Sequence, residues 1–110
     1  MEVYRNVVSK DKDGLGYDPK NVYIFGRSMG CGLACYLAAN VNVPPRGLIL
    51  MSPFKSVQDV ASNLATKGLS WMVKKNFDNF SAMDKIKCPT VFIHGKKDKL
   101  IPWDHSETMY

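Results

Sequence analysis

Three short apolar runs, none interrupted by a charge, constrain this chain more than any other feature: Val22-Tyr23-Ile24-Phe25, Gly47-Leu48-Ile49-Leu50-Met51 and Thr90-Val91-Phe92-Ile93-His94. The first shows no polar/apolar alternation. Such runs fit strands buried on both faces, as in a parallel sheet covered by helices. Between the first two, Met29, Leu33, Tyr36 and Leu37 recur at helical spacing as far as Asn40. After the second, Val57, Val60, Ala61, Leu64 and Ala65 form another helical stripe, with Ser56 and Asp59 as a start signal and Gly68 as a stop. Residues 69–85 are aromatic-rich and weakly patterned, residues 9–21 read as a turn-rich surface loop, and residues 1–8 read as the last turns of a helix. The order strand, helix, strand, helix, strand predicts an α/β fold of three parallel strands with crossover helices, an incomplete sheet.

Several function classes drop out on composition. The 15 Lys+Arg against 10 Asp+Glu give a net charge of +5, but the lysines are scattered and only Arg5, Arg27 and Arg46 are arginines. A nucleic-acid reader would cluster arginine among aromatics, so no nucleic-acid partner is expected. No apolar run nears the ~18 residues of a membrane span, and Met1–Arg5 lacks the apolar stretch of a secretory signal. The three cysteines, Cys31, Cys35 and Cys88, form no CxxC pair, and the two histidines add no zinc spacing. A reduced cytoplasmic protein without metal or cofactor is expected. Asn79-Phe80-Ser81 matches a glycosylation sequon, a tripeptide common by chance.

In parallel sheets the chemistry lies beyond the C-terminal ends of the strands. After the first run comes Gly26-Arg27-Ser28-Met29-Gly30, a G-x-S-x-G between a strand and a helix. A sharp strand-to-helix turn would hold Ser28 in a strained backbone conformation with its hydroxyl above the sheet. The flanking glycines are expected to leave room where a side chain would collide. The Met29 backbone N–H, at the helix start, could donate to an oxyanion. Gly26, Gly30 and Gly32 do not fit G-x-G-x-x-G, and no P-loop lysine follows. After the third run, Asp98 lies in a loop at the same end of the sheet as Ser28. It reads either as a turn aspartate or as the acid that orients a histidine, in the order Ser…Asp…His.

With these residues in view the sequence resembles the α/β-hydrolase superfamily. Val22–Asn40 looks like that fold's nucleophile elbow, and Pro89–Pro102 like its acid strand and loop. Val-Tyr-Ile-Phe-Gly-Arg-Ser-Met-Gly, and Met51-Ser52-Pro53-Phe54 after the middle run, are similar to the ABHD17/ABHD13-like and Bem46-like serine hydrolases. The resemblance implies Ser28 as nucleophile, Asp98 as triad acid and Met29 as donor of one oxyanion N–H. It also implies that residues 1–110 are one partial domain, its N-terminal strands and its histidine lying outside the chain. His94 is expected to be a structural or pocket residue, and His105, seven residues after Asp98, is not expected to be the base.

Ser52, Trp71 and Phe77 are the candidate substrate contacts. Trp71, Phe77 and their neighbours Met72, Val73 and Phe80 fit an acyl-chain pocket or plain core packing; Ser52 fits substrate contact or a turn role. Cys31 and Cys35, four apart, read as small helix-packing residues or as redox-sensitive ones, and Gly32 and Ala34 as letting this helix lie close to the sheet. The expected function is a serine hydrolase acting on an acyl ester or thioester. The substrate would be a small molecule or a lipid-acylated protein, with protein depalmitoylation one form and peripheral membrane association of a longer form in keeping with it. The alternatives are a serine peptidase of the same superfamily and a non-catalytic interaction protein. Fold alone does not separate them.

Overall fold

The computed structural model describes residues 1–61 and 78–110. Helix α1 spans Glu2–Val8, and a 3-10 turn at Pro19–Asn21 leads into strand β1, Tyr23–Arg27. Helix α2 spans Gly30–Asn40, β2 Gly47–Met51 and α3 Val57–Ala61. A short α4 at Asn79–Met83, β3 at Thr90–Ile93 and α5 at Asp104–Met109 complete the described residues. The strands lie in the order β1-β2-β3, both pairings parallel. The predicted architecture is the observed one.

Register sorts the side chains. Ile24 pairs with Leu48, and Leu50 with Phe92, so these share one face, the one α2 covers. Leu48 and Leu50 are fully buried there with Ile24, Ala34, Cys35 and Ala38. Burial of a leucine on this scale contributes about 1.5–3 kcal/mol. The Tyr4 hydroxyl donates to the Val43 carbonyl at 3.0 Å and ties α1 to the segment after α2.

Two expectations are corrected here. The strands are not buried on both faces. Exposure alternates along β1, and Tyr23, Phe25, Val91 and Ile93 are 45–59 % exposed. They lie on the opposite face, against which no helix packs among the described residues. The buried stripe of α2 is also a different one. Leu33 and Tyr36 point outward, each 53 % exposed, while Cys31, Gly32, Ala34, Cys35 and Ala38 face the sheet. The cause is contact distance. A Cβ on Gly26 of β1 would sit 2.7 Å from the Ala34 Cβ and 2.8 Å from the Cys31 Cα. At that approach only small residues fit between helix and strand.

The second helical stripe is present as far as it is described. Ser56 and Asp59 form a reciprocal cap, Asp59 N–H donating to Ser56 Oγ and Ser56 Oγ–H to Asp59 Oδ2. Phe54, Val57, Val60 and Ile101 form a second apolar cluster beside it. Leu64, Ala65 and Gly68 lie outside the described residues. The weakly patterned stretch contains α4, started by Asp78, whose carboxylate accepts from Ser81 N–H. Asn79 is buried at its head and donates to the Phe54 carbonyl.

Candidate active site

The end of β1 builds the elbow. Ser28 has φ +49°, a left-handed backbone uncommon for a residue with a side chain. Its N–H donates to the Met51 carbonyl at 2.9 Å, extending the β1–β2 ladder one step past Arg27. Its own carbonyl accepts from Cys31 N–H at 2.9 Å, which starts the turn into α2. The chain therefore reverses within Ser28-Met29, pinned on both sides. Met29 stands at the helix cap in α geometry, and among the described residues its N–H carries no hydrogen bond. Gly26 is required by the close approach of α2, as expected. Gly30 is not, because a Cβ there meets nothing within 4 Å.

The end of β2 repeats the device. Ser52 has φ +47°, and its N–H donates to the Ile93 carbonyl at 2.8 Å. Two left-handed serines thus stand side by side at the C-terminal edge of the sheet. The Ser52 hydroxyl lies close enough to the Asp98 carboxylate to help hold its pKa down. That link was not legible from the residue pattern, because it joins neighbours in space across β2 and β3.

Asp98 follows β3, at the same end of the sheet as Ser28. Its Oδ1 accepts from Leu100 N–H at 2.9 Å and Ile101 N–H at 3.0 Å. The Ile101 N–H, then the Leu100 N–H, the nearby His94 and the Ser52 hydroxyl hold the carboxyl below its usual range, against a smaller opposing effect of burial. Since the folded form binds its proton less readily than the unfolded chain, the stability this group contributes is present above about pH 3.8. It is lost as pH falls through the lower folded value. Asp98→Ala strips the acceptor from two N–H groups and should cost about 1–2 kcal/mol. Asp98→Asn keeps Oδ1 and should cost well under that near neutral pH. Urea melts at pH 7 check the order, and equal losses would show that the loop does not depend on Oδ1.

Among the described residues neither histidine is hydrogen-bonded to Ser28. His94 is held by Ser106 Oγ at Nδ1 (2.6 Å) and by the Ile101 carbonyl at Nε2 (2.8 Å). His105 is buried, its Nδ1 accepting from Lys55 N–H at 3.1 Å. Burial is the main cause that pushes the His105 pKa down and keeps that ring neutral. Burial also pushes the Cys31 thiol up to about 11 and the Cys35 thiol up to about 12. Both stay protonated, which favours the packing role over a redox one. Trp71 and Phe77, with Met72 and Val73, lie outside the described residues. Phe80 is half-exposed on α4. Among the described residues no cluster of ligating side chains could hold a metal ion, and no helix is long and apolar enough to cross a membrane.

A strained serine between strand and helix, with an aspartate beyond the next strand but one, defines the serine-hydrolase form of the α/β fold. Residues 18–110 match the family described as Serine hydrolase (FSH1), and the chain belongs to that family. It is 35% identical over 100 residues to an alpha/beta hydrolase, L404, of Acanthamoeba polyphaga mimivirus, covering 86% of this chain and 34% of that protein. It is 28% identical over 109 residues to the lysophosphatidylserine lipase ABHD12 of Danio rerio, covering 84% of this chain and 28% of the lipase. The chain thus spans about a third of the length of the curated relatives it matches. A puromycin-hydrolyzing peptidase of Mycobacterium tuberculosis shares its fold, with a TM-score of 0.67, 20% identity and coverage of 88% of this chain and 16% of the peptidase.

Proposed function

We propose that residues 1–110 carry the nucleophile and acid of a serine hydrolase that cleaves acyl esters or thioesters. One observation carries the reading: Ser28 is held at φ +49° between β1 and α2, with Asp98 at the same end of the sheet. Ser28 Oγ attacks the acyl carbonyl carbon while a histidine takes the hydroxyl proton. The oxyanion forms near the free Met29 N–H. Collapse expels the alcohol or thiol, which leaves with the proton from that histidine. Water, deprotonated by the same base, then attacks the acyl-Ser28 ester and releases the acid. Asp98 orients the imidazole and stabilises its charged form. The base is neither His94, whose two nitrogens are engaged, nor His105, which is turned toward Lys55.

The ABHD12 relative, named for lipase activity on lysophosphatidylserine, supports an acyl-ester substrate. The ABHD17/ABHD13-like or Bem46-like subtype, protein depalmitoylation, and a cytoplasmic position at the membrane periphery extend this proposal on the sequence resemblance alone. So do substrate contacts at Ser52, Trp71 and Phe77, and the reading of the chain as one partial domain.

Exposure of the longer polypeptide that contains residues 1–110 to a fluorophosphonate, followed by peptide mass spectrometry, tests the assignment. The adduct is expected on Ser28 and is expected to vanish in Ser28→Ala. An adduct on another residue, or none, in that longer form would remove Ser28 as the nucleophile.

A further inference from the structure

His94 does no chemistry in the proposed reaction, yet its side chain is only 5% exposed and both ring nitrogens are engaged. Its partners fix its form. The Ile101 carbonyl can only accept, so Nε2 must carry the proton. In a neutral ring Nδ1 is then an acceptor, and Ser106 Oγ–H donates to it. Ile101 also donates its own N–H, which belongs to the preceding Leu100–Ile101 peptide, to Asp98 Oδ1. Ile101 itself is buried against Phe54, Val57 and Val60. A continuous run of hydrogen bonds therefore leads from α5 to the acid: Ser106 to His94, His94 to the Ile101 carbonyl, Ile101 N–H to Asp98. Every link uses a side chain, and the last uses that of Asp98 itself.

We propose that His94, by donating its Nε2–H to the Ile101 carbonyl, is a positioning residue that holds Ile101 where its N–H aims the Asp98 carboxylate. The proposal rests on the reading of Asp98 as the acid that orients the catalytic histidine. A side chain unable to donate at that position would leave the Ile101 carbonyl without its partner and let the residue shift. Asp98 would then lose one of its two backbone donors. Among the described residues two titratable groups face His94: Asp98 in its own loop, with Oδ2 at 3.6 Å from Nε2, and His105 on α5. Lys96, in the same loop, is drawn instead over the Trp103 ring, 6.0 Å from its centre. The device is invisible in the sequence because Ser106 lies twelve residues from His94 and meets it only when α5 folds back on β3.

The test reads tautomer and titration, not turnover. In ¹⁵N spectra of the 110-residue chain at neutral pH, His94 is expected to carry a proton on Nε2. His94→Leu and His94→Gln both remove the imidazole charge, but only the glutamine amide can still donate to the Ile101 carbonyl. The Asp98 carboxyl, followed by ¹³C shift, should therefore titrate about 0.5–1 pH unit higher in His94→Leu than in His94→Gln. Circular dichroism verifies that each variant is folded. An unprotonated Nε2 in the parent chain would overturn the proposal, and that measurement needs no variant. So would equal Asp98 midpoints in folded His94→Leu and His94→Gln. If fluorophosphonate misses Ser28 while these results hold, the hydrolase reading fails and the relay stands. The reverse pattern removes the relay and leaves Ser28 in place.

Discussion

Assayed alone on a p-nitrophenyl acyl ester, the 110-residue chain is expected to turn over about 10⁴–10⁶ more slowly than the same segment inside a complete α/β-hydrolase domain. The reason is a proton. A serine hydroxyl is a poor nucleophile until a base removes its hydrogen, and the chain has two histidines to offer. His94 is locked between Ser106 and Ile101, and His105 is buried with Nδ1 committed to the backbone at Lys55. On the proposed reading, the segment supplies a pinned nucleophile, an ionised acid and the Met29 N–H. One oxyanion donor is worth about 10²–10³ in rate, so catalysis above the Ser28→Ala background should be small but measurable. The assay is run on the chain and on the longer polypeptide, each beside its Ser28→Ala version. Ser28-dependent turnover by the chain at the rate of the longer form would show that one of its own histidines reaches Ser28. His105 would then have to leave Lys55.

The parts of this site that were legible in sequence are the parts encoded locally. The three strands stand out because Ile24, Leu48–Leu50 and Val91–Ile93 are apolar runs bracketed by glycine, proline or polar residues. The elbow stands out because a strand, a reversal and a helix within a few residues demand a small residue at Gly26 and a hydroxyl at Ser28. Asp98 stands out because a turn aspartate after the third strand must fall at the same sheet end. What depends on contacts between distant residues was not legible. The orientation of α2 is one case in part: Gly32 and Ala34 as close-packing residues and Cys31 and Cys35 as small packing residues are legible, whereas the outward turn of Leu33 and Tyr36 is not. Hydrophobic periodicity gives weight to Met29, Leu33 and Tyr36, whereas packing is decided by how closely the helix backbone approaches Gly26. The outward face of β1 is another. Tyr23 and Phe25 are as apolar as a covered strand requires, yet a strand's own residues do not determine whether a helix covers them. Helix α4 escaped because five residues are too few for a period, leaving only the Asp78–Ser81 cap as a signal. The Ser52–Asp98 and Ser106–His94 contacts escaped because each needs the tertiary fold to exist.

The two glycines of the elbow motif, equivalent as letters, are expected to respond in opposite ways to the same methyl group. At Gly26 a Cβ would fall 2.7 Å from the Ala34 Cβ, 2.8 Å from the Cys31 Cα and 2.8 Å from the Gly30 carbonyl oxygen. Two of those atoms are backbone and the third is a methyl that cannot swing aside. The strain can be relieved only by lifting α2 off β1, which opens the layer holding Ala34, Cys35 and Leu48. Gly26→Ala should therefore cost about 3 kcal/mol or more, at the upper end of the overpacking range. Against the ~5–15 kcal/mol of a typical domain that is a large share. At Gly30 an added Cβ meets no atom within 4 Å, and the residue is the first of α2. There alanine replaces the poorest helix former short of proline, so Gly30→Ala should be neutral or stabilise by up to about 1 kcal/mol. Urea unfolding of the two variants, followed by far-ultraviolet circular dichroism, measures both. A tolerated alanine at Gly26 would mean that α2 does not rest on β1 at this distance. The tight reversal that holds Ser28 above the sheet would then need another cause.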